Sequence, residues 1–163
     1  MISTPWSRSL GLRAPILNAP MGGVAGSALA TAVSNAGGLG MIGMGSAGSV
    51  EALRAQLRGL SRLDRPFGIG LLGWAVETEP QLLSAALEAC PTIVSVSFGD
   101  DLGWIRRTHD AGVLAVTQVA DVRAALRAVE AGVDVVVARG LEGGGHGEFR
   151  VGTLPLLATI LDR

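Results

Sequence analysis

The chain has 163 residues, 48% of them hydrophobic, a formal charge of −1 and a mean hydropathy of +0.45. A near-neutral balance leaves no basic stripe for nucleic acid, and no run approaches the ~18–20 uninterrupted apolar residues of a membrane-spanning helix. Lysine and tyrosine are both absent, which excludes Schiff-base chemistry, a phosphate-loop nucleotide site and phenolic acid catalysis.

The opening residues carry no positive segment followed by an apolar block, so no signal peptide is expected. "APILNAP" (14–20) reads as a first strand, and "GSALATAVSNAGG" (26–38) as a helix ended by Asn35 and paired glycines. "GLGMIGM" (38–44) is the second strand, followed by a helix over 49–63 with Ser49 placed to cap it. "PFGIGLL" (66–72) is the third, before a helix over 78–89 with Thr78 or Glu79 near the cap and Pro80 in its first turn. "TIVSVSF" (92–98) is the fourth, before a helix over 100–112. "VLAVTQV" (113–119) is the fifth, followed by the amphipathic period of 121–132, closed by Gly132. "VDVVVAR" (133–139) is the sixth, and one more helix starts at 153. The single cysteine, Cys90, is expected to be a buried, inert thiol, and its isolation points to a soluble, cytoplasmic chain.

Strand–helix units at spacings of ~20–30 residues predict parallel strands joined by right-handed crossovers. The strands are continuous apolar runs, the pattern of a sheet covered on both faces. An open doubly wound sheet and a (β/α) barrel both fit this order. Glycines stand at the C-terminal end of nearly every strand instead of gathering after the first, which favours the barrel. The expected fold is α/β: a single domain over 1–163 forming an incomplete TIM-type barrel. It has about six β/α units and lacks the last two of the ~250-residue pattern. Open strand edges of that kind invite oligomerisation or association with a partner.

"EGGGH" (142–146) follows the sixth strand and delivers one of only two histidines, His146. Its place at a strand end behind three glycines marks it as a candidate base or anion-binding group. Glu142 and Glu148 bracket it, and either could orient the ring. Arg139 is an unusual charge for a buried strand end. A bound anion or an electron-rich ring would compensate for it, as would pairing with Asp134 or another loop carboxylate. His109, in the last turn of its helix, complements the helix dipole and is assigned no function. No cluster has metal-ligand spacing.

"APILNAPMGG" (14–23), "ATAVSNAGGLGMIG" (30–43), "RPFGIGLL" (65–72), "SVSFGD" (95–100) and "VDVVVARGLEGGGH" (133–146) together resemble the flavin-dependent nitronate monooxygenases. A flavin enoyl-acyl-carrier-protein reductase is a near relative. The resemblance implies an FMN-binding barrel that oxidises nitronates or nitroalkanes with dioxygen. Carried over by position, Ala19, Pro20, Met21 and Gly22 would lie near the flavin ring, with Gln118 facing it from the fifth strand. Arg139, Gly140, Gly143 and Gly144 would face it from the sixth, with His146 over the flavin. Many such proteins have Asn where this chain has Gly70, and Gln where it has Arg139. The FMN phosphate of the family sits in loops after the seventh and eighth strands, so its site is expected to lie outside these residues. The alternatives implied are an enzyme of the enoyl reductase type with a nicotinamide donor, and an inactive half-barrel that needs a partner.

Overall fold

Five parallel strands form one sheet: β1 (Gly40–Gly43), β2 (Phe67–Leu72), β3 (Ile93–Ser97), β4 (Leu114–Val119) and β5 (Val135–Ala138). The computed structural model describes residues 2–60, 62–145, 147 and 150–163. Spatial order equals chain order, so every right-handed crossover adds its strand on the same side and leaves its helix on the same face. A doubly wound sheet would reverse direction at a switch point. The arrangement is that of an incomplete (β/α) barrel.

The register divides each strand into an outer and an inner set. Ile42, Ile69, Val94 and Ala115 align across β1 to β4 and are fully buried beneath the helices. The helices α2 (Ser27–Asn35), α3 (Val50–Gly59), α5 (Pro80–Glu88) and α6 (Gly103–Asp110) cover them, through residues such as Ala30, Leu53, Leu82 and Ile105. Each fully buried Ile or Leu contributes about 1.5–3 kcal/mol, so this outer layer dominates the core. The inner set is smaller: Met41, Ile93 and Val116 pack with Leu12, Leu39, Trp6 and Leu10. A short helix α1 (Pro5–Ser9) and the turn after it thereby close the N-terminal end of the inner face.

Local signals account for several helix starts. Ser49 accepts from the Ala52 N–H at 3.2 Å, and Asp121 from the Ala124 N–H at 2.7 Å, each capping the helix that follows. The second of these is α7 (Val122–Glu130), and α8 (Thr153–Leu161) ends the chain. Gly132 takes φ 89°, the left-handed turn after α7. No described helix is long and apolar enough to cross a membrane.

Three expectations are corrected. Residues 14–20 do not form a strand; one bridge, Leu17 to Leu39, is all that remains of it. Pro15 and Pro20 lack the N–H a ladder needs, and the side chain of Asn18 replaces main-chain pairing. It accepts from the Met41 N–H at 2.8 Å and donates to the Met41 carbonyl at 3.0 Å. A separate helix, α4 (Gly73–Thr78), stands between β2 and α5 where a loop was expected. Cys90 is exposed, not buried. It follows the C-cap of α5 with φ 50°, and a left-handed residue there turns its side chain outward.

Candidate functional site

Parallel strands bring all their C-terminal ends to one rim, and barrel enzymes build their sites there. Asn18 fixes the segment after it at that rim; besides its two bonds to Met41 it donates to the Ala19 carbonyl at 3.0 Å. Pro20 then crosses the inner face of the first two strands. A Cβ at Gly43 would strike the Pro20 backbone, and one at Gly70 its ring. Gly70, where an asparagine was noted in similar sequences, is therefore the residue that admits Pro20. Beyond it, Gly22 rests on the backbone of Gly45. Ala19, Pro20, Met21 and Gly22 are all exposed.

At the next strand ends the same close approach recurs: a Cβ at Gly73 would lie 2.7 Å from Gly99 Cα. Phe98, just before it, has φ 65°, strained by about 1–3 kcal/mol for a residue with a side chain. Its ring tilts against Trp74 with centroids 5.9 Å apart. Ser97 Oγ accepts from the Gln118 N–H at 3.1 Å, and Gln118 and Val137 align on the inner face of β4 and β5. A cavity of about 660 Å³ lies between the loop after β3, the end of β4 and α7, lined by Phe98, Gly99, Gln118, Asp121, Arg123, Arg127, Gly147 and Arg150 among others. Of the expected cofactor contacts, only Gln118 lines it. Phe98, Trp74 and Ser97 were not singled out as site residues; an aromatic residue directly before Gly99 was the available signal.

After β5 the chain forms a closed loop. The Leu141 N–H donates to the Val151 carbonyl at 2.9 Å, and the Gly140 N–H to Thr153 Oγ1 at 3.1 Å. Glu142 Oε2 accepts from the Thr153 N–H and hydroxyl, both at 2.9 Å. Glu142's own backbone N–H, and then the Thr153 bonds, hold its carboxyl below the ordinary glutamate range. That carboxylate serves the first residue of α8, where it also meets the positive end of the helix. Arg139 is 8% exposed, and its guanidinium donates to the carbonyls of Gly143, Gly144 and Gly145. Asp134 instead meets His109 at 2.9 Å and the Ala115 N–H at 2.7 Å, tying the end of α6 to the start of β5. His146 and Glu148 lie outside the described residues.

The expected residues thus fall in three groups on one rim. Ala19 to Gly22 stand over β1 and β2, Gln118 is on the inner face of β4, and Arg139, Gly140, Gly143 and Gly144 follow β5.

Comparison with known proteins gives a consistent picture. A family profile described as nitronate monooxygenase matches residues 4–163. A nitronate monooxygenase of Pseudomonas aeruginosa is 32% identical, over 97% of this chain and 58% of its own length. A carboxyl-CoA dehydrogenase of Mycobacterium tuberculosis is 28% identical, over 99% of this chain and 45% of its own. Among solved structures, FabK from Thermotoga maritima superposes with a TM-score of 0.88 at 31% identity, covering 98% of this chain and 51% of that one. The chain spans about half the length of the curated relatives it matches.

Proposed function

The chain belongs to the nitronate monooxygenase family, and from that premise we propose that it carries much of the active site of a flavin-dependent oxidoreductase. The substrates in this reading are nitronates or nitroalkanes, with dioxygen as the electron acceptor and FMN as the cofactor. The observation that supports it is that the Pro20 segment, Gln118 and the Arg139–Gly144 loop all stand along the one C-terminal rim. A planar heteroaromatic ring needs an apolar floor and a polar edge. Gly43 and Gly70 admit Pro20 as part of that floor, and the small side chains of Ser95 and Ser97 lie on the inner face of the next strand. Met21 and Val137 are 44% and 41% exposed, as apolar side chains awaiting a cover.

When bound, FMN would supply the two-electron acceptor that the protein itself lacks. Gln118 would offer its amide to the ring edge. Ala19, Pro20, Met21 and Gly22 would border one side, and the loop that Arg139 opens, through Gly140, Gly143 and Gly144, the other. His146 would take the proton from the carbon bearing the nitro group, or hold the oxygens of a nitronate. Cytoplasmic location belongs to the same proposal. So does association through the free side of β5 and the exposed Leu154, Leu157 and Leu161. A second reading, a flavin enzyme reducing or oxidising an acyl thioester with a nicotinamide partner, is favoured by the Mycobacterium tuberculosis relative.

The test begins with purified protein and added FMN, followed through gel filtration by its visible absorption. Oxygen consumption with a nitronate is then compared with oxidation of NADH or NADPH. His146→Ala is expected to retain flavin while turnover of neutral nitroalkanes falls by ~10²–10⁴. Equal loss of flavin and turnover would remove His146 from the chemistry. Nicotinamide oxidation without nitronate turnover would select the second reading.

A further inference from the structure

Arg139 follows β5 with a nearly buried side chain, and its guanidinium reaches into the loop that comes after it. Nη2 donates to three consecutive carbonyls, those of Gly143, Gly144 at 3.2 Å and Gly145 at 3.3 Å. Consecutive carbonyls aimed at one point repel one another, and a cation at that point offsets the repulsion. The packing is as close as the hydrogen bonding. A Cβ at Gly143 would lie 3.0 Å from Arg139 Cγ and Nε, and one at Gly147 would overlap the guanidinium. The glycines on both sides of position 146 are thus the residues that let the backbone wrap this side chain.

The base of the loop is held separately, by Leu141 to Val151 and by Glu142 to Thr153. Those bonds fix where the loop begins and ends but not the path between. Arginine suits the remaining task because its planar fork presents several donors in fixed directions and stays charged.

We propose that Arg139 is the positioning residue of the 140–145 segment: it sets the path of the backbone that leads to position 146 and acts on the site through that segment, without touching flavin or substrate. The importance of this path for chemistry rests on the proposed function; the structural role does not.

Amide hydrogen exchange reads the role directly. The Gly143 N–H, which donates to the Gly140 carbonyl at 3.0 Å, reports on the loop, and the Leu141 N–H on its base. The Ala125 N–H, bonded to the Asp121 carbonyl in α7, serves as the internal reference. Arg139→Ala is expected to speed exchange at Gly143 by at least about tenfold relative to Ala125, with Leu141 at the separately held base little changed. Arg139→Lys, which keeps the charge and loses the fork, is expected to fall between that variant and the wild type. Should Arg139→Ala not fold, Arg139→Lys decides alone. Loop exchange unchanged relative to Ala125 in the folded variants would overturn the proposal. FMN titration of the same variants adds an independent readout. Loss of flavin affinity with loop protection intact would also overturn it, since Arg139 would then be a direct contact. Flavin affinity that declines together with loop protection supports it. A wild-type protein that binds no FMN would defeat the flavin reading, and the exchange rates would still decide the role of Arg139.

Discussion

Replacing Asn18 by alanine tests whether one side chain stands in for a missing strand. The change removes two hydrogen bonds to Met41 and one to Ala19. Met41 is 2% exposed, so its N–H and carbonyl lose their partners where water has little access. A buried polar group left unpaired costs about 1–3 kcal/mol. The Ala19 carbonyl is exposed and regains a water, contributing little. Two unpaired groups on Met41 therefore set the expected loss at about 2–4 kcal/mol, a large share of a domain stability of about 5–15 kcal/mol. Urea unfolding followed by tryptophan fluorescence measures it. With a slope of about 2 kcal/mol per molar the midpoint should fall by about 1–2 M. Asn18→Asp keeps an acceptor for the Met41 N–H but turns an oxygen toward two carbonyls, and should lose at least as much. A loss under about 0.5 kcal/mol for alanine, or an aspartate variant as stable as the wild type, would refute the substitution of side chain for strand.

Glu142→Ala should lower stability at neutral pH. The folded-state carboxyl is held below its ordinary value of 4.5, so its contribution is complete above that value and is lost as pH falls through the lower folded one. Urea midpoints of the two proteins should accordingly converge toward acid pH; a gap that persists there would contradict the assignment. Gly73→Ala must separate two backbones already in contact with each other and should cost about 1–3 kcal/mol, read from the thermal midpoint. Cys90 should react with a maleimide in the folded protein at a rate close to that of the unfolded chain, checked by intact mass over time; a protected thiol would contradict its outward turn.

Much of the architecture was legible because local and global signals agree. Ser49 and Asp121 cap the helices they were expected to cap, or stand where a helix was expected to begin, and the five continuous apolar runs from 38 to 139 all contain strands. The failures have physical causes. An apolar run between Pro15 and Pro20 reads as a strand, and only the reach of Asn18 to Met41 shows why it need not be one. The start of α4 has no capping side chain, because Leu72 occupies its N-cap, so nothing announced it. α1 did carry its signal: Thr4 and Ser7 form a reciprocal cap ahead of Pro5. At the candidate site, the resemblance named 19–22, 118 and 139–144, and strand order brings the ends of β4 and β5 to one rim. What each polar group bonds to was not legible, since Arg139 turns to carbonyls of the loop that follows it and Glu142 to the first residue of α8. Those choices depend on backbone paths that spacing alone does not describe.

The glycine contacts at the rim bear on how such a protein can diverge. Gly22 is set against Gly45, and Gly73 against Gly99, so neighbouring loops touch main chain to main chain. Mutation at any of these four positions moves two loops at once, and an insertion in one is felt by its neighbour. The segment after β5 is held instead by the start of α8 and by the cap of α7, with Gly140 against Thr153 and Arg150 paired to Asp121 at 3.3 Å. Inheritance should therefore preserve the first half of the rim as a block. New substrate preferences would arise chiefly by drift in the segments after β4 and β5, where a changed loop leaves the rest of the rim undisturbed.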